Sequence, residues 1–309
     1  MDRFGSLREA LQTALPALEL RQQEPMRRHT SFKVGGPAAL MACPKRQEEL
    51  ALILKLAKAE GVRPFFLGKG SNLLVSDRGV EEFVIKIAGG LTDLALEGET
   101  ILRAGAGATL AQAAIFAADH GLTGLEFAHG IPGTLGGGVF MNAGAYDGEL
   151  AQVLLSVDCL DEAGEPHRLE KDQLELGYRR SVFSDLPWLI TGARLQLKPG
   201  DRETIRARMA DLAQRRRSKQ PLDYPSGGST FKRPAGHFAG GLIEQCGLKG
   251  RSVGGAQVSE KHAGFVINTG NATCQDILDL IRLVRKTVLE KTGVELEPEL
   301  RMLGVQLDP

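Results

Sequence analysis

The chain has 309 residues, enough for about two or three domains at the usual size of a folding unit. Lys plus Arg (38) equals Asp plus Glu (38), so no global field draws it to nucleic acid or to an anionic membrane, and any anionic ligand must be held by a local cluster. Hydrophobic residues make up 42% and charged residues 25%, as in ordinary soluble proteins, and no apolar run reaches the length of a membrane span.

The amino-terminal segment MDRFGSLREALQTALPALEL carries acids among short apolar stretches. It lacks the apolar core of a signal peptide, and its spacing predicts an amphipathic helix. Arg27 to Pro37 (RRHTSFKVGGP) reads as a loop with paired glycines, and Ala38 to Cys43 as a short strand. Gln47 to Glu60 sets Leu50, Ile53, Leu54 and Ala57 on one helical face, with Gly61 as the stop. Pro64 to Leu67 completes a strand–helix–strand pattern of the βαβ kind. That strand runs into Gly68-Lys69-Gly70-Ser71-Asn72. This tight turn of free N–H groups, a hydroxyl and an amide is either a pyrophosphate cradle or a plain β-turn. It is not the dinucleotide fingerprint, because no long helix is signalled after it.

Short β-rich runs follow between Phe83 and Ala104, and Thr109 to His120 is an Ala-rich helix ended by Gly121. The densest signal comes next, in Gly130 to Glu149 (GIPGTLGGGVFMNAGAYDGE), where seven of twenty residues are glycine. Each ordered glycine costs conformational entropy, so such a run means close approach to the backbone. Flexible linkers are Gly/Ser-rich and polar, whereas Ile131, Leu135, Val139, Phe140 and Met141 anchor this ribbon. It can aim several backbone N–H groups at one anion, as phosphate-binding nests do. Strands are expected near Val153–Leu160 and Trp188–Leu197, giving an α+β domain in which two Gly-rich loops converge on a nucleotide-like ligand.

Near residue 200 the pattern changes. Asp201 to Arg217 is a charged helix whose last arginines complement its dipole, and Pro221, Pro225, Gly227 and Gly228 then break the chain. Strands near Val253–Val258 and Phe265–Ile267 and a helix over Thr273–Lys291 make a small further α+β region. Cys43, Cys159, Cys246 and Cys274 lie far apart without CxxC or His-Cys spacing, so four buried thiols in a reducing cytosol are expected. His29, His120, His129, His167, His237 and His262 show no ligand spacing, and no metal site is expected. Three polar elements could carry chemistry: Tyr178-Arg179-Arg180-Ser181, Gly227-Gly228-Ser229-Thr230 and Glu297-Pro298-Glu299-Leu300-Arg301. Each alone also reads as a surface salt bridge, a turn serine or a solvated charge pair. Ser229 lacks the Gly-x-Ser-x-Gly elbow of serine hydrolases.

Seven segments in order resemble the UDP-N-acetylenolpyruvoylglucosamine reductase family: TSFKVGGPA (30–38), LGKGSNLLVSD (67–77), the ribbon (130–149), YRRSVF (178–183), KQPLDYPSGGSTFKRP (219–234), AGGLIEQCGLKGRSVGGAQVSEKHAGFVIN (239–268) and EPELR (297–301). Together they cover essentially the whole chain. The resemblance implies an α+β fold with an FAD-binding domain of the vanillyl-alcohol-oxidase (PCMH) type in two lobes, 1–66 with 297–309 and 67–198, and a smaller substrate-binding domain, 199–296. It implies non-covalent FAD on Gly68, Lys69, Gly70, Ser71, Asn72, Gly130, Ile131, Pro132, Gly133, Gly136, Gly137 and Asn142, with NADPH as hydride donor. His29 and His120 lie in no flavin-linkage pattern. Carried over residue by residue, the catalytic arginine falls on Arg179, the proton-donating serine on Ser229 and the catalytic glutamate on Glu299. Lys219 matches a substrate-binding lysine, and Arg233 is a further candidate for the substrate's charged groups. No tyrosine-bearing loop interrupts 241–261, so the chain resembles the shorter subclass, with His262 and Arg301 as candidates to cover the substrate. Arg180 departs from the motif, where an acidic residue is common.

The implied reaction passes hydride from NADPH through FAD to the terminal carbon of the enolpyruvyl ether in UDP-N-acetylglucosamine enolpyruvate. Negative charge then develops on the adjacent carbon and spreads into the carboxylate. Arg179 fits as a bidentate cation that stays charged at any working pH. Glu299 fits if burial keeps it protonated, and Ser229 delivers the final proton. A cytoplasmic monomer or weak oligomer is expected. Two other functions fit parts of the pattern: a flavin-dependent oxidase with the same FAD domain, and a non-catalytic nucleotide-sugar-binding module.

Overall fold

The computed structural model describes residues 3–307. The chain divides into two compact units, one holding Met1–Gln22, Leu40–Lys69 and Glu82–Arg215, the other Gln23–Ala39, Gly70–Glu81 and Arg216–Pro309. Both are discontinuous, because the chain passes from one to the other several times.

The helices are α1 (Gly5–Ala14), α2 (Gln47–Ala59), α3 (Leu110–Asp119), α4 (Leu135–Phe140), α5 (Arg202–Lys219), α6 (Ala239–Gln245) and α7 (Cys274–Thr292). In the first unit, α1 buries Leu7 and Leu11, and α2 buries Leu50, Ile53, Leu54 and Ala57, the face that the spacing predicts. Helix α3 starts where a reciprocal cap permits. Thr109 Oγ1 accepts from Gln112 N at 3.0 Å, and Gln112 Oε1 accepts from Thr109 N at 2.8 Å. Gly121 then supplies the left-handed φ of 67° that ends the helix. The unit's main sheet has five strands in the order Pro166–Glu170, Leu154–Leu160, Leu189–Gln196, Ile101–Gly105 and Leu94–Glu97. Every pairing in it is antiparallel. A second sheet orders Glu19–Pro25, Pro37–Cys43, Val80–Lys86 and Phe65–Leu67, so the two strands of the expected βαβ unit share a sheet with Val80–Lys86 between them.

The second unit packs α7 on a three-stranded antiparallel sheet, Ser252–Val253, Ala256–Val258 and Val266–Asn268. Its core joins Ile277, Ile281, Val284 and Val288 of α7 to Phe32, Val34, Leu74, Phe231, Val258 and Leu296. The region expected as one strand over Val253–Val258 is instead a hairpin. It reverses at Gly254, whose φ is +51° and where a Cβ would lie 2.3 Å from Asp276 Oδ1. Helix α7 is capped twice. Thr273 and Asp276 form a reciprocal box, while Asp77 accepts from Cys274 N at 2.9 Å and from Gln275 N at 3.2 Å. Together these satisfy the donors of the first turn. The backbone N–H of Thr273 is the main reason that the Asp276 carboxyl titrates below its ordinary value. None of the four cysteines is in a disulfide; Cys159, Cys246 and Cys274 are buried, but Cys43 is only partly buried, which corrects the expectation of four buried thiols.

Candidate functional site

In the first unit the glycine ribbon is not an open nest. The residues after Thr134 fold into α4, one and a half turns long, which the sequence did not signal. Ile131 N donates to Ala128 O at 3.0 Å, Gly133 N to Ile131 O at 2.9 Å, Leu135 N to Ala108 O at 2.8 Å and Gly136 N to Ala106 O at 2.9 Å. Gly137 N reaches Thr134 Oγ1 at 3.4 Å, and Gly138 N the Thr134 carbonyl at 2.8 Å. These amides, expected to face an anion, therefore bond within the protein.

What the glycines permit is close approach. A Cβ on Gly136 would lie 3.0 Å from the Ala106 Cβ, one on Gly144 2.7 Å from the Gly148 carbonyl, and one on Gly148 2.6 Å from the Phe127 ring. A Cβ on Gly68 would lie 2.5 Å from Thr134 Oγ1, so the first residue of the GKGSN turn meets the ribbon, as the sequence suggested. Gly137 is different. It is exposed, and its Cβ would find nothing nearer than Thr134 Oγ1 at 3.5 Å. Gly137, Pro132 and Lys69 are exposed in the first unit, and the bare backbone at Gly137 leaves a clear face for a flat ligand to approach.

Gly137→Val should fold and bind FAD at least tenfold more weakly (roughly 1.4 kcal/mol), measured by titrating apoprotein with FAD. Gly70→Val cannot serve as its companion, because Gly70 has φ +61° and its Cβ would lie 2.1 Å from the His29 carbonyl. That variant breaks the protein's own packing.

The YRRS motif is fastened to the ribbon. Asn142 is buried at 1% exposure; its Nδ2 donates to Gly177 O at 3.1 Å, and its Oδ1 accepts from Ala151 N at 2.9 Å. Ser181 Oγ donates to Phe140 O at 2.8 Å. Gly177 and Arg180 exchange backbone hydrogen bonds, leaving Tyr178 and Arg179 as a two-residue turn. Arg179 sits at φ 56°, a conformation costly for a side chain of this kind, and Asn142, Tyr146 and Asp147 share it at 41°, 52° and 65°. Such strain collects where a side chain must be aimed. The Arg179 guanidinium reaches the Gly144 carbonyl at 3.4 Å and lies beside the Tyr178 ring. Arg180 finds its acids at Asp185, 2.9 Å, and Glu175, 3.9 Å. The missing acid within the motif is thus replaced from either side of it.

In the second unit Ser229 and Glu299 are brought together by strand-like pairing. Glu299 N donates to Thr230 O at 2.9 Å, Lys232 N donates to Glu297 O at 2.8 Å, and Phe231 pairs antiparallel with Pro298. Thr230 is locked from its other side, its N donating to Gly264 O and its Oγ1 accepting from Val266 N, both at 2.9 Å. Gly227 is needed here, since its Cβ would lie 2.4 Å from the Phe32 ring and 2.6 Å from Leu300. The hydroxyl residue is consequently presented on an exposed turn over a rigid base.

Asn72 joins this cluster: its Nδ2 donates to Glu299 O and its carbonyl accepts from Arg301 N, both at 3.0 Å. Lys219 is exposed at the end of α5, and Arg233 is exposed with its guanidinium 3.9 Å above the Phe238 ring. His262 Nδ1 accepts from Gly264 N at 3.1 Å. Burial first, and the Lys249 ammonium second, hold its pKa below the ordinary value. His262 is then a neutral ring whose Nε2–H is the donor it offers. The sequence reading overlooked Thr134, which caps α4 and is met by Gly68; a threonine before a low-bulk run was the available signal.

The chain is similar to known proteins over nearly its whole length. Residues 38–170 match the family described as FAD binding domain, and residues 220–303 the family described as UDP-N-acetylenolpyruvoylglucosamine reductase, C-terminal domain. The UDP-N-acetylenolpyruvoylglucosamine reductase of Caldanaerobacter subterraneus subsp. tengcongensis is 49% identical over 296 residues, spanning 96% of this chain and 97% of that protein. Among solved structures, the reductase of the same name from Thermus caldophilus superposes with a TM-score of 0.79 at 37% identity, covering 93% of this chain and 98% of that one. An Acremonium strictum glucooligosaccharide oxidase matches with a TM-score of 0.50 at 13% identity, over 96% of this chain and 60% of that one, a likeness of fold alone. Residues 38–170 are thus an FAD-binding domain in a chain of α+β fold, and the chain belongs to the UDP-N-acetylenolpyruvoylglucosamine reductase family.

Proposed function

We propose that this protein is a UDP-N-acetylmuramate dehydrogenase. It reduces the enolpyruvyl ether of UDP-N-acetylglucosamine enolpyruvate to UDP-N-acetylmuramate in peptidoglycan precursor synthesis, with NADPH as donor. The observation that carries this reading is full-length kinship. Identity of 49% across 96% of the chain takes in the ribbon, Arg179 and Ser229, and Ser229 and Glu299 both lie within the residues 220–303 that match the family's C-terminal domain.

FAD, when bound, supplies a hydride relay between NADPH and the terminal carbon of the enolpyruvyl group. The chain's own residues do the rest. Gly68, Lys69, Gly70 and Ser71, with the backbone of Gly130, Ile131, Pro132, Gly133, Gly136 and Gly137, hold the cofactor non-covalently. Asn72 and Asn142 act from beneath, since each ties a loop of the site in place. Arg179 meets the charge that develops on the substrate carboxylate, an interaction of about 3 kcal/mol in preorganised sites. Ser229 hands its hydroxyl proton to the carbon next to that carboxylate, and Glu299, as a neutral acid, donates a hydrogen bond to the same charge. Lys219, Arg233 and Arg301 supply positive charge for the diphosphate and carboxylate, and His262 a neutral donor. Four cysteines, none in a disulfide, support work in the reducing cytoplasm, where we place the protein as a monomer or weak oligomer.

The test is an absorption spectrum. The purified protein should carry flavin absorbance that anaerobic NADPH bleaches and that the enolpyruvyl substrate restores. Bleaching by an alcohol or sugar but not by NADPH would make it an oxidase. A colourless protein without affinity for FAD would leave a nucleotide-sugar-binding module.

A further inference from the structure

The second unit contains a buried titratable pair that has no part in the reaction as proposed. His29 Nε2 lies 2.8 Å from Glu24 Oε1, and the two residues are 7% and 8% exposed. Taking both groups out of water is costly, so the pair is poor evidence for stability; its value lies in the geometry that it fixes. It closes the chain on itself around the short turn Met26–Arg28 and so sets the direction in which residues 29–31 leave.

Those residues grip Gly70. The His29 carbonyl comes so near that a Cβ on Gly70 would lie 2.1 Å from it. Ser31 N donates to Gly70 O at 3.2 Å, and Ser31 Oγ approaches the same oxygen at 3.4 Å. Two residues on, Asn72 holds the Glu299 carbonyl and the Arg301 amide, and Glu299 N is bonded to Thr230 O beside Ser229. A continuous run of short contacts inside one unit thus leads from the buried pair to the main chain of the proposed acid. The rest of the RRHTSFKVGGP loop is pinned separately. Asn268 Nδ2 donates to Phe32 O at 2.9 Å, Thr30 Oγ1 to Val34 O at 2.9 Å and Gly36 N to Ser76 O at 2.8 Å. Loss of the pair therefore loosens one arm of the loop and leaves the loop in place.

We infer that Glu24 and His29 form a positioning pair that holds the Gly70–Asn72 turn and, through Asn72, the Glu299 backbone in working register. The inference rests on the reading of this site as that of the flavin-dependent reductase. Both side chains are buried, and neither is among the residues proposed to hold substrate or cofactor.

The test compares Glu24→Ala and His29→Ala with Glu24→Gln, which keeps the acceptor oxygen, and His29→Gln, which keeps an N–H near the Nε2 position. The first readout needs no flavin: hydrogen exchange of the Ser31 and Arg301 amides in apoprotein. Both should lose about tenfold or more of their protection in the Ala variants, while the amides of α7 keep theirs. The Gln variants should recover most of the loss. The second readout is titration of apoprotein with FAD, where the dissociation constant should rise about tenfold in the Ala variants and within about threefold in the Gln variants. At saturating FAD the rate of bleaching by NADPH should match the parent's. Folded Ala variants with parental exchange at Ser31 and Arg301 and parental FAD affinity would overturn the inference. If the Ala variants do not fold, Glu24→Asp, which draws the carboxylate back by one methylene, should speed exchange at the same two amides; unchanged exchange there overturns it equally. A parent that binds no FAD would sink the proposed function, while the exchange rates would still decide whether the pair holds the turn.

Discussion

Ser229→Ala should yield a folded, yellow protein that NADPH bleaches at the parental rate. The enolpyruvyl substrate should restore its absorbance about 10²–10⁴-fold more slowly, the range in which a positioned proton donor contributes. The variant loses one oxygen from an exposed residue, and the main chain beneath is held through Thr230, so the fold has no reason to change. Ser229→Cys keeps an ionisable hydrogen at nearly the same place and should retain more activity than Ala. Without a prompt proton, hydride transfer becomes reversible, and exchange should appear at the terminal carbon of the substrate. Stopped-flow absorbance in light and heavy water measures both effects. Near-normal recovery in Ser229→Ala would mean that water or another residue delivers the proton.

Arg179→Lys should keep the charge and lose most of the turnover. The left-handed φ of 56° costs lysine what it costs arginine, so the turn through Gly177 and Arg180 should hold. What changes is the head, from a planar fork able to make two parallel hydrogen bonds to a single strongly hydrated point. Loss of one preorganised donor to developing charge typically costs about 10²–10³ in rate, and that is the expected slowing of substrate-driven recovery. Bleaching by NADPH should be within about threefold of the parent, since the arginine is assigned to the substrate half-reaction. A lysine variant with parental turnover would show that charge alone suffices and that the fork has no role.

Helix α7 shows how much was legible in the chain. Its apolar positions repeat at helical spacing, Thr273 and Asp276 stand where a cap requires them, and Gly293 follows with φ 72°. Each signal acts within four residues, so sequence alone places the helix to within a residue. The Gly254-Gly255 hairpin was missed because a short apolar run with two glycines reads as one strand until Asp276, from α7, crowds the turn. The ribbon is the mixed case. Its glycine density correctly marked close approach, but the approaching atoms are the protein's own at Ala106, Leu150 and Phe127, with Gly137 as the exception. Helix α4 was invisible because glycine has low helix propensity, and its first amides are satisfied by Ala106 and Ala108 rather than by a local cap alone.

The sequence by itself determined the helical and strand periods, the caps, the absence of a net field and the seven ordered motifs that specify the family and its chemistry. Local sterics and hydrogen bonding act over a few residues, and motif order survives without any knowledge of contacts. Only the tertiary structure decided that Asn72 holds Glu299 across 227 residues, that Gly68 abuts Thr134, and that Asn142 braces the Arg179 turn. Such contacts exist because packing fills space between segments that the chain brings back from far away. Nothing within the neighbourhood of either partner encodes the other.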